Sequence, residues 1–262
     1  MNSLFIYTQW LIRKHMRSAV IWTMAFATYV LMIVAIFPTF SEAGITNIAS
    51  NYPEAMRKAF NIDDMGTLGG FLGVEVFSYA PLVLAFFPIM LLAGAVAGEE
   101  ERGAMDIYLA QPLSRRDMVL ANVITTIVWT LVILMVTGLS TWLLAQFLDI
   151  DFGISRALQG FFGLFPIMLL FGSIALFVGT RVRSKGSATG AAFLLMFLLY
   201  LVDLVGKLVP DYASIRDYSP FKWYGEPLVS GLDWSSVVGI IAISLVVVIL
   251  SIVSFERRDI YT

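Results

Sequence analysis

The sequence predicts an all-α polytopic membrane protein with six transmembrane helices and cytoplasmic N- and C-termini. Three observations predict it. Hydrophobic residues make up 59% of the 262 and charged residues 14%, where soluble domains carry roughly 45–50% and about 25%. The apolar residues gather into six runs, each near or beyond the ~20 residues that cross a bilayer core. Lysines and arginines then cluster at alternate ends of those runs, the pattern that fixes orientation.

The same composition excludes several classes of function. A net charge of -2 leaves no basic excess for nucleic acid. The absence of cysteine removes disulfides, thiol nucleophiles and Cys-ligated metals. His15 is the single histidine, so neither a Ser-His pair nor a histidine-rich metal site is expected. No catalytic residue and no metal site is therefore predicted.

Residues 1–18 place Leu4, Tyr7, Trp10 and Leu11 on one side of a helix, with Arg13, Lys14 and Arg17 beyond. They read equally as an interfacial helix and as a basic lead-in to the first span, about 19–37. No small-residue cleavage site closes that run, which argues against a cleaved signal peptide. Residues 39–76 are mixed, with a short helix predicted from Pro53 to Phe60 because Pro suits a first helical position. The second span, about 77–97, contains Pro81 and Pro88. It ends with Gly94 and Gly98 four residues apart, a spacing that admits a close helix neighbour and is also ordinary helix content. The third span, 120–148, would run about 43 Å and must tilt or protrude. Asp149 and Asp151 mark a short loop before the fourth span, 158–180, which holds Pro166. A basic loop follows (Arg181, Arg183, Lys185), then the fifth span, 187–206. Asp203 is the one acid late in that span, where it either borders the outer connector or touches cargo. A polar, aromatic stretch covers 207–234, and the sixth span is about 237–255. Residues 1–262 thus read as a single transmembrane domain.

One face receives Arg13, Lys14, Arg17, Arg102, Arg115, Arg116, Arg181, Arg183, Lys185, Arg257 and Arg258; the other receives Arg57, Lys58, Arg156, Lys207, Arg216 and Lys222. The first set is larger and hugs the span ends, so it is assigned to the cytoplasm.

The stretch between the second and third spans, 98–117, is the densest charged segment. Glu99, Glu100 and Glu101 meet Arg102 and Gly103. A short helix is expected over 104–110, with Met105, Tyr108 and Leu109 on one face and Pro112 as its stop. Ser114 and Asp117 form a capping-box pattern at the start of the third span. Three adjacent acids gain nothing from an anionic inner leaflet, and an apolar-plus-charged helix on a span-to-span turn has the form of a docking element for a soluble partner.

These residues also carry a resemblance. Gly98-Glu99-x-Glu101-x-Gly103, Asp106, Leu109-Ala110-x-Pro112-x-Ser114-Arg115, Ser219-Pro220-Phe221 and Phe255-Glu256-Arg257-Arg258-Asp259 resemble the signature of ABC-2 type ABC transporter permeases of the multidrug- and antibiotic-export kind. The resemblance covers essentially the whole chain and departs mildly at Ala104, where the family commonly has Thr, and at Tyr108, where Leu is frequent. It implies a type V exporter-like fold in which 98–117 holds the coupling helix. By that resemblance Gly98, Glu99, Glu100, Glu101, Arg102 and Gly103 form the hinge and docking segment, Asp106, Tyr108 and Leu109 touch the ATPase, Pro112 ends the helix, and Arg115 anchors the return at the headgroups.

The sequence contains no G-x-x-x-x-G-K-[ST] motif. No cofactor is expected on this chain; ATP and Mg²⁺ would sit on a separate ABC ATPase subunit, with a second permease copy or a paralogue completing the assembly. The resemblance implies a path lined by the second and fifth spans, where Phe86, Phe87, Met90, Phe193, Met196 and Phe197 would suit hydrophobic or amphipathic cargo. Each of the six also reads as a lipid-facing or core side chain. The implied role is export through the cytoplasmic membrane of a bacterium or archaeon. An ATPase-independent channel or carrier is the alternative, disfavoured because ionisable residues that mark ion routes are nearly absent from the spans. An intramembrane enzyme lacks its catalytic groups, and a structural anchor would not need the 98–117 segment.

Overall fold

The computed structural model describes residues 3–42, 53, 56–57, 62–105 and 113–258. Among them, six helices are long and apolar enough to cross a membrane. These are α1 (Ser3–Glu42), α2 (Ala80–Ala93, whose span runs on without a break to Glu101), α3 (Arg115–Phe147), α4 (Ile154–Gly179), α5 (Lys185–Leu208) and α6 (Trp234–Glu256). No strand occurs among the described residues.

Helix α1 is one unbroken element of 40 residues, about 60 Å long at ~1.5 Å per residue. There is no joint between an interfacial piece and a span. Its first turns pack on the protein: Leu11 is buried, and the Trp129 indole donates to the Ile12 carbonyl at 3.2 Å. The basic residues that read as a membrane-surface face are thus carried alongside α3, the neighbour α1 follows most closely.

The second span starts later than hydropathy places it. A helical turn at Leu68–Leu72 and a π-helical turn at Gly73–Phe77 precede α2. Pro81 then falls in the first turn of α2, where a missing N–H breaks no helical bond. Beyond Ala93 the chain continues as a second π-turn, Gly94–Gly98, and a last α-turn, Glu99–Glu101. Helices α3 and α6 begin a few residues before their apolar runs because polar side chains cap them. Ser114 Oγ accepts from the Asp117 amide at 3.0 Å, and Asp233 Oδ1 accepts from the Ser235 amide at 3.0 Å. The short helix expected from Pro53 falls largely outside the described residues.

Helix α4 is the centre of the bundle and touches α2, α3, α5 and α6. In its most apolar stretch 78% of residues are buried, against 22% in α5 and 28% in α6. Small residues allow this approach. A Cβ at Gly172 would lie 3.0 Å from Pro88 Cβ, and one at Gly179 would lie 3.4 Å from the Ala93 carbonyl oxygen. The outer faces of α5 and α6 carry exposed Leu194, Leu198, Val238 and Leu250, surfaces suited to lipid or to a second protein.

At the end of the bundle away from 98–117, a 3-10 helix, Pro210–Tyr218, folds back on α5. Asp203 holds it: the carboxylate is 3% exposed, accepts from Arg216 Nε at 2.9 Å and lies 3.3 Å from Lys207 Nζ. Asp203 therefore borders the connector, and its charge is met by two cations of this chain.

Close packing at this end gives one sharp expectation. An alanine Cβ at Gly70 would sit 1.9 Å from the Asp64 carbonyl oxygen and 2.4 Å from its carbon. That obstacle is backbone, which cannot rotate away, so Gly70→Ala is expected to destabilise by about 1–3 kcal/mol. A lowered thermal midpoint in mild detergent would show it; an unchanged midpoint would mean the turn yields freely.

Candidate functional site

The 98–117 segment leaves α2 as Glu99–Glu101, and its three acids diverge to three different parts of the bundle. Glu99 is 7% exposed; its Oε1 lies 2.9 Å from Lys14 Nζ on α1 and 3.7 Å from Arg102. Glu100 binds Arg258, just past α6, at 2.9 Å and stands 3.4 Å from Arg183 in the loop between α4 and α5. Glu101 Oε2 accepts the backbone N–H of Lys185 at 2.8 Å. It thereby caps α5, whose own N-cap residue, Ser184, makes no side-chain capping bond. A negative charge at a helix N-terminus is favourable in its own right.

Arg258 extends the clasp by donating to the Thr180 carbonyl at 2.9 Å, at the end of α4. Arg115 was expected at the lipid headgroups. Its guanidinium donates to the Phe255 carbonyl at 2.9 Å and the Arg258 carbonyl at 2.6 Å, and stacks over the Phe255 ring at 5.4 Å. It satisfies carbonyls that a helix C-terminus leaves without partners. Gly103 has φ +66, the left-handed conformation that glycine adopts at low cost, and it turns the chain out of the last turn of Glu99–Glu101. Met105 is then buried against Met118, Val119 and Phe255. Asp106, Tyr108, Leu109 and Pro112 lie outside the described residues.

The clasp therefore gathers the start of α1, the end of α2, both ends of the α4–α5 loop and the end of α6. The described ends of the chain meet at this one end of the bundle. The family described as "Multidrug efflux system permease Rv1217c, C-terminal domain" matches residues 10–256, nearly all of that bundle. The chain belongs to this family. No curated protein matches it. As a member of this family, the chain is a multi-pass membrane permease with a transport role.

In this permease the six aromatic and methionine residues expected along a path fall into different surroundings. Phe87 and Met196 are fully buried in the main core. Phe86 meets Phe193 edge-on at 5.3 Å, and Phe193 stacks on Phe197 at 6.5 Å, which builds an aromatic ladder between α2 and α5. Met90 is 37% exposed and, together with Phe87, lines a crevice beside α1. Of the six, Phe87 and Met90 share that crevice, and Phe86, Phe193 and Phe197 share the ladder.

Sequence reasoning missed the partners of the acidic triplet. Lys14, Arg183, Lys185 and Arg258 entered only as span-end basic residues. The available signal was complementarity: three adjacent acids faced three basic clusters assigned to the same side of the membrane. Gly94 and Gly98 admit a close neighbour: the aliphatic stem of Lys185, the first residue of α5, lies 3.5 Å from a Cβ at either position.

Arg115→Ala should fray the last turn of α6. Loss of charge-assisted bonds to two carbonyls is worth about 1.5–3 kcal/mol locally. Hydrogen exchange over residues 253–258 would accelerate by about tenfold or more. Unchanged exchange there would mean that Arg115 does not hold the helix end.

Proposed function

We propose that this permease is the membrane subunit of an ATP-driven exporter of hydrophobic or amphipathic compounds. ATP and Mg²⁺ are held by a separate ABC ATPase, and a second permease copy or a paralogue completes the complex. In this reading the clasp end faces the cytoplasm, and residues 106–112 form the surface that meets the ATPase.

The observation that carries the proposal is the clasp itself. A force applied to the 98–117 segment passes through the chain into α2 and α3. Through Glu99 it also reaches α1, through Glu101 α5, and through Glu100 the end of α6. A docking event at this segment can therefore bias two arrangements of the whole bundle, which is what alternating access requires. The acids are spent on this internal linkage, so the docking contacts fall to Asp106, Tyr108 and Leu109.

The test is affinity isolation of the tagged chain from its native host in mild detergent, with mass-spectrometric identification of a P-loop ATPase. A triple Asp106→Ala, Tyr108→Ala, Leu109→Ala variant is expected to lose that ATPase while keeping its thermal midpoint. Absence of any ATPase from the wild-type isolate would remove the energy source and favour an ATPase-independent carrier.

A further inference from the structure

Two crevices that share Trp22 follow one another along α1 and α2 from the clasp toward the opposite end, and their chemistry differs. The upper crevice, at the clasp, has a volume of about 120 Å³ and is bordered by Lys14, His15, Arg102, Lys185 and Glu99. The lower crevice has a volume of about 270 Å³ and is bordered by Ala25, Phe26, Tyr29, Ala80 and Val83. On α1, Ser18, Trp22, Ala25 and Tyr29 repeat at the spacing of one helix face, so the two follow a single stripe. From Lys14 to Tyr29 they extend about 22 Å along the helix, the scale of a long acyl chain.

Charge in the upper crevice is unbalanced. Glu99 is matched by Lys14 and Arg102. Lys185 points its ammonium at the same space; its Nζ lies 3.7 Å from a Cβ position at Gly94, and it makes no ion pair with any described residue. Glu101, the other nearby acid, accepts the Lys185 backbone N–H. Counting Glu101, three lysine and arginine cations face two acids. The wall opposite α1 is Phe87, Met90 and Leu91 of α2 with Gly94, the first residue of the π-turn Gly94–Gly98, a distortion that recurs at functional sites. Lower down, Val83 is 48% exposed and Ala25 is exposed as well, so the apolar crevice opens sideways to the membrane.

We propose that the two crevices together bind an anionic amphiphile drawn from the membrane, with its headgroup between Lys185 and Lys14 and its chain along Trp22, Ala25 and Val83. Charge complementarity selects the head; the apolar lower crevice selects the tail. In naming a cargo class the proposal rests on the export reading, but the binding it describes needs no ATPase.

The probe is dodecyl phosphate, titrated calorimetrically into the full chain reconstituted in phosphatidylcholine vesicles, with empty vesicles subtracted. Dodecyl phosphate is expected to bind, dodecylphosphocholine to bind at least tenfold more weakly, and inorganic phosphate not to compete. Lys185→Gln should weaken binding by about five- to tenfold, the effect of one basic group at a membrane surface, while Lys185→Arg restores it. Ala25→Trp, at an exposed position, fills the tail crevice and should weaken binding similarly without moving the thermal midpoint. Adding phosphatidylglycerol to the vesicles should raise the apparent Kd, because membrane lipid occupies the same site.

Equal binding of the zwitterionic probe, or indifference to both Lys185→Gln and Ala25→Trp, would overturn the proposal. Competition by inorganic phosphate at the concentrations where dodecyl phosphate binds would reduce the site to an anion pocket and remove the amphiphile. No effect of phosphatidylglycerol would overturn the membrane source. A missing ATPase with intact binding would end the export reading and leave the site; the reverse would leave an exporter with another cargo.

Discussion

Glu100→Ala should separate the motion of the 98–117 segment from that of the spans. Its carboxylate binds Arg258 at 2.9 Å and lies 3.4 Å from Arg183, and the Glu100 and Arg258 side chains are 14% and 18% exposed. Removing one member of a fully buried pair costs about 3–5 kcal/mol, while an exposed pair is worth ~0–1. At this intermediate burial the expected loss is about 1–3 kcal/mol. The decisive measurement is a double-mutant cycle with Arg258→Ala. Because the two act on each other, the double variant should be no less stable than the worse single variant. Under the export reading, efflux of an amphipathic dye from vesicles should fall by at least tenfold while the ATPase still copurifies. Wild-type efflux in Glu100→Ala would show that the clasp carries no motion, and strict additivity in the cycle would show that the pair is not coupled.

Asp203→Ala should have the largest effect on stability. The carboxylate is 3% exposed and compensates both Arg216 and Lys207. Without it, two partly buried cations face each other at the end of α5, and the fold-back of Pro210–Tyr218 loses its anchor. The expected cost is about 2–4 kcal/mol, below the fully buried limit because both cations reach solvent. Leu, which fills the space without charge, should not rescue it, whereas Asp203→Ala combined with Arg216→Met should recover part of the loss. Thermal unfolding in mild detergent checks both, and a midpoint within error of the wild type would contradict the structural role of the cluster. Loss of dye efflux with full stability would instead favour a cargo contact for Asp203.

The all-helical, six-span architecture was legible because hydropathy is a local property and each span is long. Helix ends were less legible, since they depend on caps and on polar turns that continue a helix past its apolar run, as at Ser114 and Asp233. The continuity of α1 was hidden for the same reason: a change from basic to apolar composition at residue 18 marks no change in backbone. At the site, sequence spacing located the acidic triplet but could not reveal that Lys14, Lys185 and Arg258 reach it from 85, 84 and 158 residues away. The carbonyl contacts of Arg115 were not legible because a lone arginine at a span end has the same local signature whether it meets phosphate or a helix terminus.

The Lys185 stem resting on Gly94 and Gly98 has an evolutionary consequence. Alanine fits at either glycine in ordinary contact, but any side chain with a γ-atom presses on the lysine methylenes. A lineage that enlarges position 94 or 98 must therefore shorten position 185 or tilt the start of the fifth span. Substitutions at these three sites should be inherited together, so that a change tolerated at one becomes permissible only in the sequence background set by the other two.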